Sequence, residues 1–233
     1  MKTRSLSILT LLCLFALPAT SQKAEPEVSA EQAQAKLAAG NKRFAGFVHS
    51  HPNQNPSRRA ETAIKQKPFA IILTCADSRV APEFVFDQGI GDLFVVRVAG
   101  NIADDAIKGS IEYAVEHLGV HLVVVMGHER CGAVDATLKG GAVPGHIHAL
   151  TDSIAPAIAK VKGQPGDPLE NAIKANVQAV VEDLRSSEPI LNEGVHAGKL
   201  KVVGAYYDLD SGKIAFLSEP KSTQASGEKT ASK

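Results

Sequence analysis

The chain has 233 residues, enough for one substantial α/β domain, with 44% hydrophobic residues and 25 basic side chains balancing 25 acidic ones. That balance leaves no basic field for nucleic acid or an acidic membrane surface. The absence of Trp, with aromatics at 5%, removes a base-stacking surface, and three cysteines are too few for a disulfide-built scaffold.

Lys2 and Arg4 precede an apolar run from Leu6 to Leu17, followed by the small residues Ala19-Thr20-Ser21. Charged head, short apolar middle and small-residue exit predict a secretory signal peptide over 1–21, cut before Gln22. The run of 12 residues is well short of the ~20 needed to span a bilayer. Leu12 before Cys13 is too bulky for a lipoprotein cut. The mature chain would keep Cys75 and Cys131, carry 23 basic and 25 acidic residues, and work in a periplasm or outside the cell with no membrane attachment.

Residues 22–28 read as a linker. Ser29 and Gln32 form a capping box that opens a helix through Phe44, with Ala33, Leu37 and Phe44 on its apolar side. His49 to Arg59, with Pro52 and Pro56, reads as an extended arm. Four apolar runs follow: Phe69–Thr74, Leu93–Val98, His121–Met126 and Leu200–Tyr207. The first three lack clean alternation, the pattern of strands buried on both faces. Helical spacing marks Asp105–Leu118, Ala133–Leu138, Ile147–Val161 and Leu169–Arg185. Strand alternating with helix predicts a mainly parallel sheet with right-handed crossovers. Asp210-Ser211-Gly212 then turns the chain into Ile214–Leu217, an antiparallel edge strand. The domain would span 29–217, with a flexible tail over 218–233.

Cys75 ends the first strand in the run Cys75-Ala76-Asp77-Ser78-Arg79, and His128 and Cys131 follow the third. Parallel strands release their loops at one carboxyl edge, where ligand sites form, so these segments can meet. Two thiols and an imidazole suit tetrahedral zinc. Cys131 also precedes a helix, whose amino end favours a thiolate. Three protein ligands leave one position open, as a catalytic site requires; His146-x-His148 is the nearest source of a fourth. A Cys75–Cys131 disulfide is the rival reading for an exported chain. Taken singly, Asp77 and Arg79 read as a solvated ion pair, Gln66 as a surface residue, and Phe94 and Tyr113 as packing aromatics. Glu129 and Arg130 are either supports of the metal loop or exposed charges. His49, His51, His146 and His148 fall on surface loops, while His117 and His121 suit structural roles. Gly100 and Gly132 mark close backbone turns.

The set Cys75-x-Asp77-x-Arg79 with His128-x-x-Cys131 resembles the β-class carbonic anhydrases, from Asn41-Lys42-Arg43-Phe44 to Gly204-Ala205-Tyr206-Tyr207-Asp208. The resemblance implies their α/β fold, a parallel sheet flanked by helices with an antiparallel C-terminal edge. It implies one zinc ion per chain on Cys75, His128 and Cys131, with Asp77 and Arg79 as a dyad beside it. Gln66 would hydrogen-bond substrate, and Phe94 and Tyr113 would line a pocket built across a dimer interface, in a homodimer or homotetramer. The implied reaction is reversible hydration of carbon dioxide to bicarbonate and a proton by zinc-bound hydroxide. Two thiolates cancel the charge of zinc, so the water would be less acidified than at a site with three His ligands. Should the Asp77–Arg79 pair break, Asp77 could close the metal. Bicarbonate-regulated members carry Trp where this chain has Ile72, so that regulatory site is expected to be absent. Hydrolysis of carbonyl sulfide or carbon disulfide by the same ligands, and a non-catalytic zinc-stabilised binding protein, are the rival functions.

Overall fold

The computed structural model describes residues 28–218. The expected signal peptide, nearly all of the linker and the tail beyond Ser218 lie outside the described residues. The described chain runs α1 (Ala30–Ala45), α2 (Pro56–Ile64), β1 (Ala70–Thr74), α3 (Pro82–Val85), β2 (Leu93–Arg97), α4 (Asp105–Leu118), β3 (Leu122–His128) and α5 (Gly132–Lys139). It continues through α6 (His148–Ala159), α7 (Pro168–Arg185), α8 (Ile190–His196), β4 (Lys201–Tyr207) and β5 (Ile214–Phe216). The strands lie in the order β2-β1-β3-β4-β5. The first four are parallel and β5 is antiparallel to β4.

Local chemistry sets these bounds. The capping box closes as expected: Gln32 N–H donates to Ser29 Oγ (3.2 Å) and Ser29 N–H to Gln32 Oε1 (3.0 Å). Asp104 caps α4 by accepting from Ile107 N (2.9 Å), and Gly119 ends it at φ 66°. In α7, Asp167 accepts from Glu170 N (2.7 Å) ahead of Pro168 in the first turn.

The central strands bury both faces. Ile71, Leu73, Val123 and Val125 pack with Ile111, Val177 and Leu184 on one side. Ala70, Ile72, Val124 and Met126 pack with Leu37, Val85 and Phe86 on the other. Continuous apolar runs are what such a sheet demands.

Four expectations need correction. The arm over His49–Arg59 gives way to α2, which Asn55 caps by accepting from Arg58 N (2.9 Å) ahead of Pro56. None of its residues is buried, so no apolar stripe announces it. β2 is an edge strand in which only Val96 is buried, because it pairs with β1 alone. His128 is the last residue of β3 rather than part of the loop beyond it. A Cβ on Gly132 would meet nothing within 4 Å, so no close backbone approach calls for glycine there.

The segment before α2 is anchored by Asp87, whose buried carboxylate accepts from Ser50 N (3.0 Å), Ser50 Oγ (2.9 Å), His51 N (3.0 Å) and Arg43 Nε (2.5 Å). Burial alone would raise its pKa, but these donors overrule it and hold the group well below the ordinary carboxylate range. A pKa depressed by folding stabilises the protein at pH values above the unfolded value of about 4 and fades as pH falls through it. Asp87→Asn should therefore cost about 2 kcal/mol at neutral pH. Urea unfolding at stepped pH should show the gap from wild type narrowing below about pH 4; a constant gap would contradict this assignment.

Candidate metal centre

Adjacent parallel strands bring the three donors together. Cys75 leaves the end of β1, His128 closes β3, and Cys131 is the residue from which α5 starts. With Thr74 in register with Met126, both strands deliver their next residues to the same edge. Cys75, His128 and Cys131 are 4%, 0% and 1% exposed, and their donor atoms all lie within 4.8 Å of one another. Among the described residues no other such group of His, Cys, Asp and Glu occurs.

These donors fit a metal. The sulfurs are 4.0 Å apart and both thiols are free. A disulfide requires about 2.05 Å, so the rival reading does not describe this structure. Two sulfurs about 2.3 Å from one tetrahedral ion would stand roughly 3.8 Å apart. His128 Nδ1 lies 2.8 Å from Glu129 O; a carbonyl only accepts, so Nδ1 carries the proton and Nε2 the lone pair. That Nε2 is buried without a hydrogen-bond partner, as expected of an atom aimed at a cation.

The two thiols form one hydrogen-bonded pair in which either sulfur can donate. The Cys131 hydrogen bond lowers the Cys75 pKa against the opposing effect of burial, with further help from His128 and Gly100 N–H. The same contact, reinforced by burial, pushes Cys131 up. One thiolate is readily formed and the second is not until a cation compensates it.

Asp77 stands at the edge of the cluster, with Oδ2 3.8 Å from His128 Nε2. Arg79 grips it in a fork, Nε to Oδ1 at 2.9 Å and Nη2 to Oδ2 at 2.7 Å, and the Arg79 backbone N–H adds a 3.0 Å bond. The guanidinium beside it holds the Asp77 carboxyl well below the usual range, outweighing partial burial. Asp77 is thus an anion held off the metal position by its partner.

Two arginines complete the surroundings. Arg97, the last residue of β2, donates to Cys75 O (3.2 Å) and Asp77 O (2.7 Å), fixing the turn that carries both. Its register opposite Thr74 was the available signal, but strand register is not readable from composition. Arg130 adopts φ 53° and binds Asp210 at 2.7 and 3.0 Å, while its carbonyl accepts from Arg79 Nη2 at 3.3 Å. Glu129 accepts from Leu209 N at 3.1 Å. The loop between the ligands is therefore tied to the β4–β5 turn, which makes Glu129 and Arg130 supports of that loop.

Gln66, Phe94 and Tyr113 are not brought to this cluster within one chain. Gln66 is exposed in the loop entering β1, at the opposite edge of the sheet. Phe94 is in register with Ile71, four residues or ~13 Å of strand before Cys75. Phe94 and Tyr113 lie near each other, ring centroids 6.4 Å apart, and Tyr113 is 47% exposed. His49 stacks on His51 at 5.3 Å, His117 meets Tyr113 at 5.1 Å, and His121 contacts Lys199 O at 2.9 Å. His146 and His148 lie 6.5 Å apart between ring centroids, outside the metal cluster. Among the described residues no helix is long and apolar enough to cross a membrane.

Comparison with known proteins bears on the same segments. The family profile described as carbonic anhydrase matches residues 70–214, more than half of the chain. "Carbonic anhydrase 2" of Mycobacterium tuberculosis (strain CDC 1551 / Oshkosh) is 40% identical over 195 residues, which cover 82% of this chain and 94% of that protein. The carbonic anhydrase of Mycolicibacterium smegmatis is 40% identical over 183 residues, 77% and 89% of the two chains. Among solved structures, a tetrameric β-carbonic anhydrase from Sordaria macrospora superposes with a TM-score of 0.66 at 27% identity, covering 77% of this chain and 93% of that one.

Proposed function

The chain belongs to the carbonic anhydrase family, in its β class, and from that premise we propose that it interconverts carbon dioxide and bicarbonate at one zinc ion held by Cys75, His128 and Cys131. The observation that carries this reading is an orphaned, buried His128 Nε2 facing two free thiols, with an ionised carboxylate at their edge. When bound, zinc would supply the Lewis acidity that makes a nucleophile of water, at higher pH than a site with three His ligands.

The chain's own residues do the rest. Asp77, kept ionised by Arg79, accepts a hydrogen bond from the attacking water and turns its lone pair toward carbon dioxide. Arg79, by filling both oxygens of Asp77, keeps that carboxylate from entering the metal cluster. Arg97 fixes the turn that carries Cys75 and Asp77, and Arg130 ties the loop between His128 and Cys131 to Asp210. A purely structural zinc site needs neither an aspartate nor its arginine, which speaks against a non-catalytic protein.

Gln66, Phe94 and Tyr113 can serve substrate only from a second copy of the chain, since one copy keeps Gln66 before the start of β1, Phe94 opposite Ile71 and Tyr113 beside Phe94. We therefore assign them to a pocket completed by a homodimer, alone or within a tetramer. The Sordaria relative, described as tetrameric, supports that arrangement. For export the support is the sequence of 1–21 alone, with 22–28 as a linker ahead of a domain over 29–217; intact mass of the purified protein should begin at Gln22.

The reading is tested by metal analysis with stopped-flow hydration of carbon dioxide on the purified enzyme. One zinc per chain with hydration well above buffer supports it. One zinc per chain with buffer-level hydration from neutral to alkaline pH overturns it, and turnover of carbonyl sulfide in its place would redirect it.

A further inference from the structure

The only polar residue that α7 buries is Asn176, 2% exposed in a stripe of Ile173, Val177, Val180, Val181 and Leu184. An amide is unfavourable there unless it is paired. Its Nδ2 donates to Gly100 O at 2.8 Å, and the N–H of that same glycine donates to Cys75 Sγ at 3.3 Å. Gly100 has φ 73°, and a Cβ on it would stand 2.6 Å from Ile154 Cδ1 and 3.2 Å from Ala133 Cβ. The turn is thus walled by α6 and α5 and pinned by α7. On its other side, Val98 N donates to Thr74 O (3.1 Å) and Ala76 N to Val98 O (3.3 Å), which aligns it with the chain around Cys75.

We infer that Asn176 is a positioning residue of the metal centre: by fixing the Gly100 carbonyl it holds the Gly100 N–H on the Cys75 sulfur and limits the charge which that thiolate passes to a bound metal. Hydrogen bonds to ligating sulfurs withdraw electron density from them, and such outer contacts tune the metal. With two thiolates offsetting a divalent ion, damping one of them restores Lewis acidity. The inference rests on the ligand set proposed above and extends it to a residue of α7 that reaches Cys75 through Gly100.

Replacing zinc with cobalt(II) makes the sulfur donors visible through sulfur-to-cobalt charge-transfer absorption. Asn176→Leu and Asn176→Val replace the amide with apolar side chains no larger than a leucine and remove the donor. Both variants should bind one metal per chain, show that band at lower energy than wild type, and lose about tenfold in kcat/KM as zinc enzymes. A band unmoved in a folded variant overturns the inference alone. Lack of the band in the wild type overturns the ligand assignment as well. Should the variants not fold, cadmium-113 bound to the wild type provides the check: a scalar coupling from Gly100 N–H to the metal through sulfur supports the inference, and its absence contradicts it.

Discussion

Cys75→Ser should empty the metal centre and abolish hydration together. Serine preserves the shape of a residue only 4% exposed, so the fold should survive at a cost of about 1–2 kcal/mol. Its hydroxyl is not a thiolate at any accessible pH, which leaves His128 Nε2 and Cys131 as two donors where three stood. Loss of one anionic ligand from such a set should weaken zinc by on the order of 10²–10³-fold. Hydration should drop to the buffer rate, a fall of at least about 10³-fold. Metal analysis after dialysis and stopped-flow assay read the two effects separately. Full zinc occupancy with normal turnover in this variant would remove Cys75 from the ligand set.

Arg79→Leu should disable catalysis while leaving zinc in place. The fork at 2.9 and 2.7 Å is what occupies both oxygens of Asp77. Without it, the carboxylate that already lies 3.8 Å from His128 Nε2 is free to turn inward as a fourth donor. The site would be filled rather than emptied. We expect one zinc per chain and a loss of about 10²–10³-fold in kcat, the scale of removing a preorganised charge from a transition state. Asp77→Asn provides the contrast, since it loses the acceptor but supplies no anion to close the metal. Added thiocyanate should therefore reach the metal in Asp77→Asn and be excluded in Arg79→Leu. Wild-type turnover in Arg79→Leu would show that the ion pair is only a surface contact, as its half-exposed arginine side chain would otherwise suggest.

The parts of the molecule legible in the sequence are those set by local pattern or by burial on two faces. Strands β1 and β3 read as unbroken Val, Ile and Leu runs because helices cover both sides of the sheet. Ser29 and Gln32 announced a helix start because capping is a contact within a few residues. Helix α2 escaped notice because nothing in it is buried, and its Asn55-Pro56 start was the only mark it carried. The clustered donors were readable because Cys75 leaves β1 and His128 closes β3 in a sheet that had to be parallel, and Cys131 follows His128 by three residues. Arg97, Arg130 and Asn176 were not, since each acts through a carbonyl brought near by folding: Cys75 O and Asp77 O, Arg130 O, and Gly100 O. Glu129 and Arg130 read equally as loop supports or as exposed charges until Leu209 and Asp210 were placed opposite them. For Gln66, Phe94 and Tyr113 the limit is different, because one chain does not contain the pocket they are proposed to line.

Zinc K-edge absorption on the purified enzyme addresses the central claim most directly, since it counts the sulfurs around the ion. The account predicts two sulfur scatterers near 2.3 Å and two nitrogen or oxygen scatterers near 2.0–2.1 Å, one imidazole and one exchangeable position. A shell of four sulfurs, or of none, would contradict it.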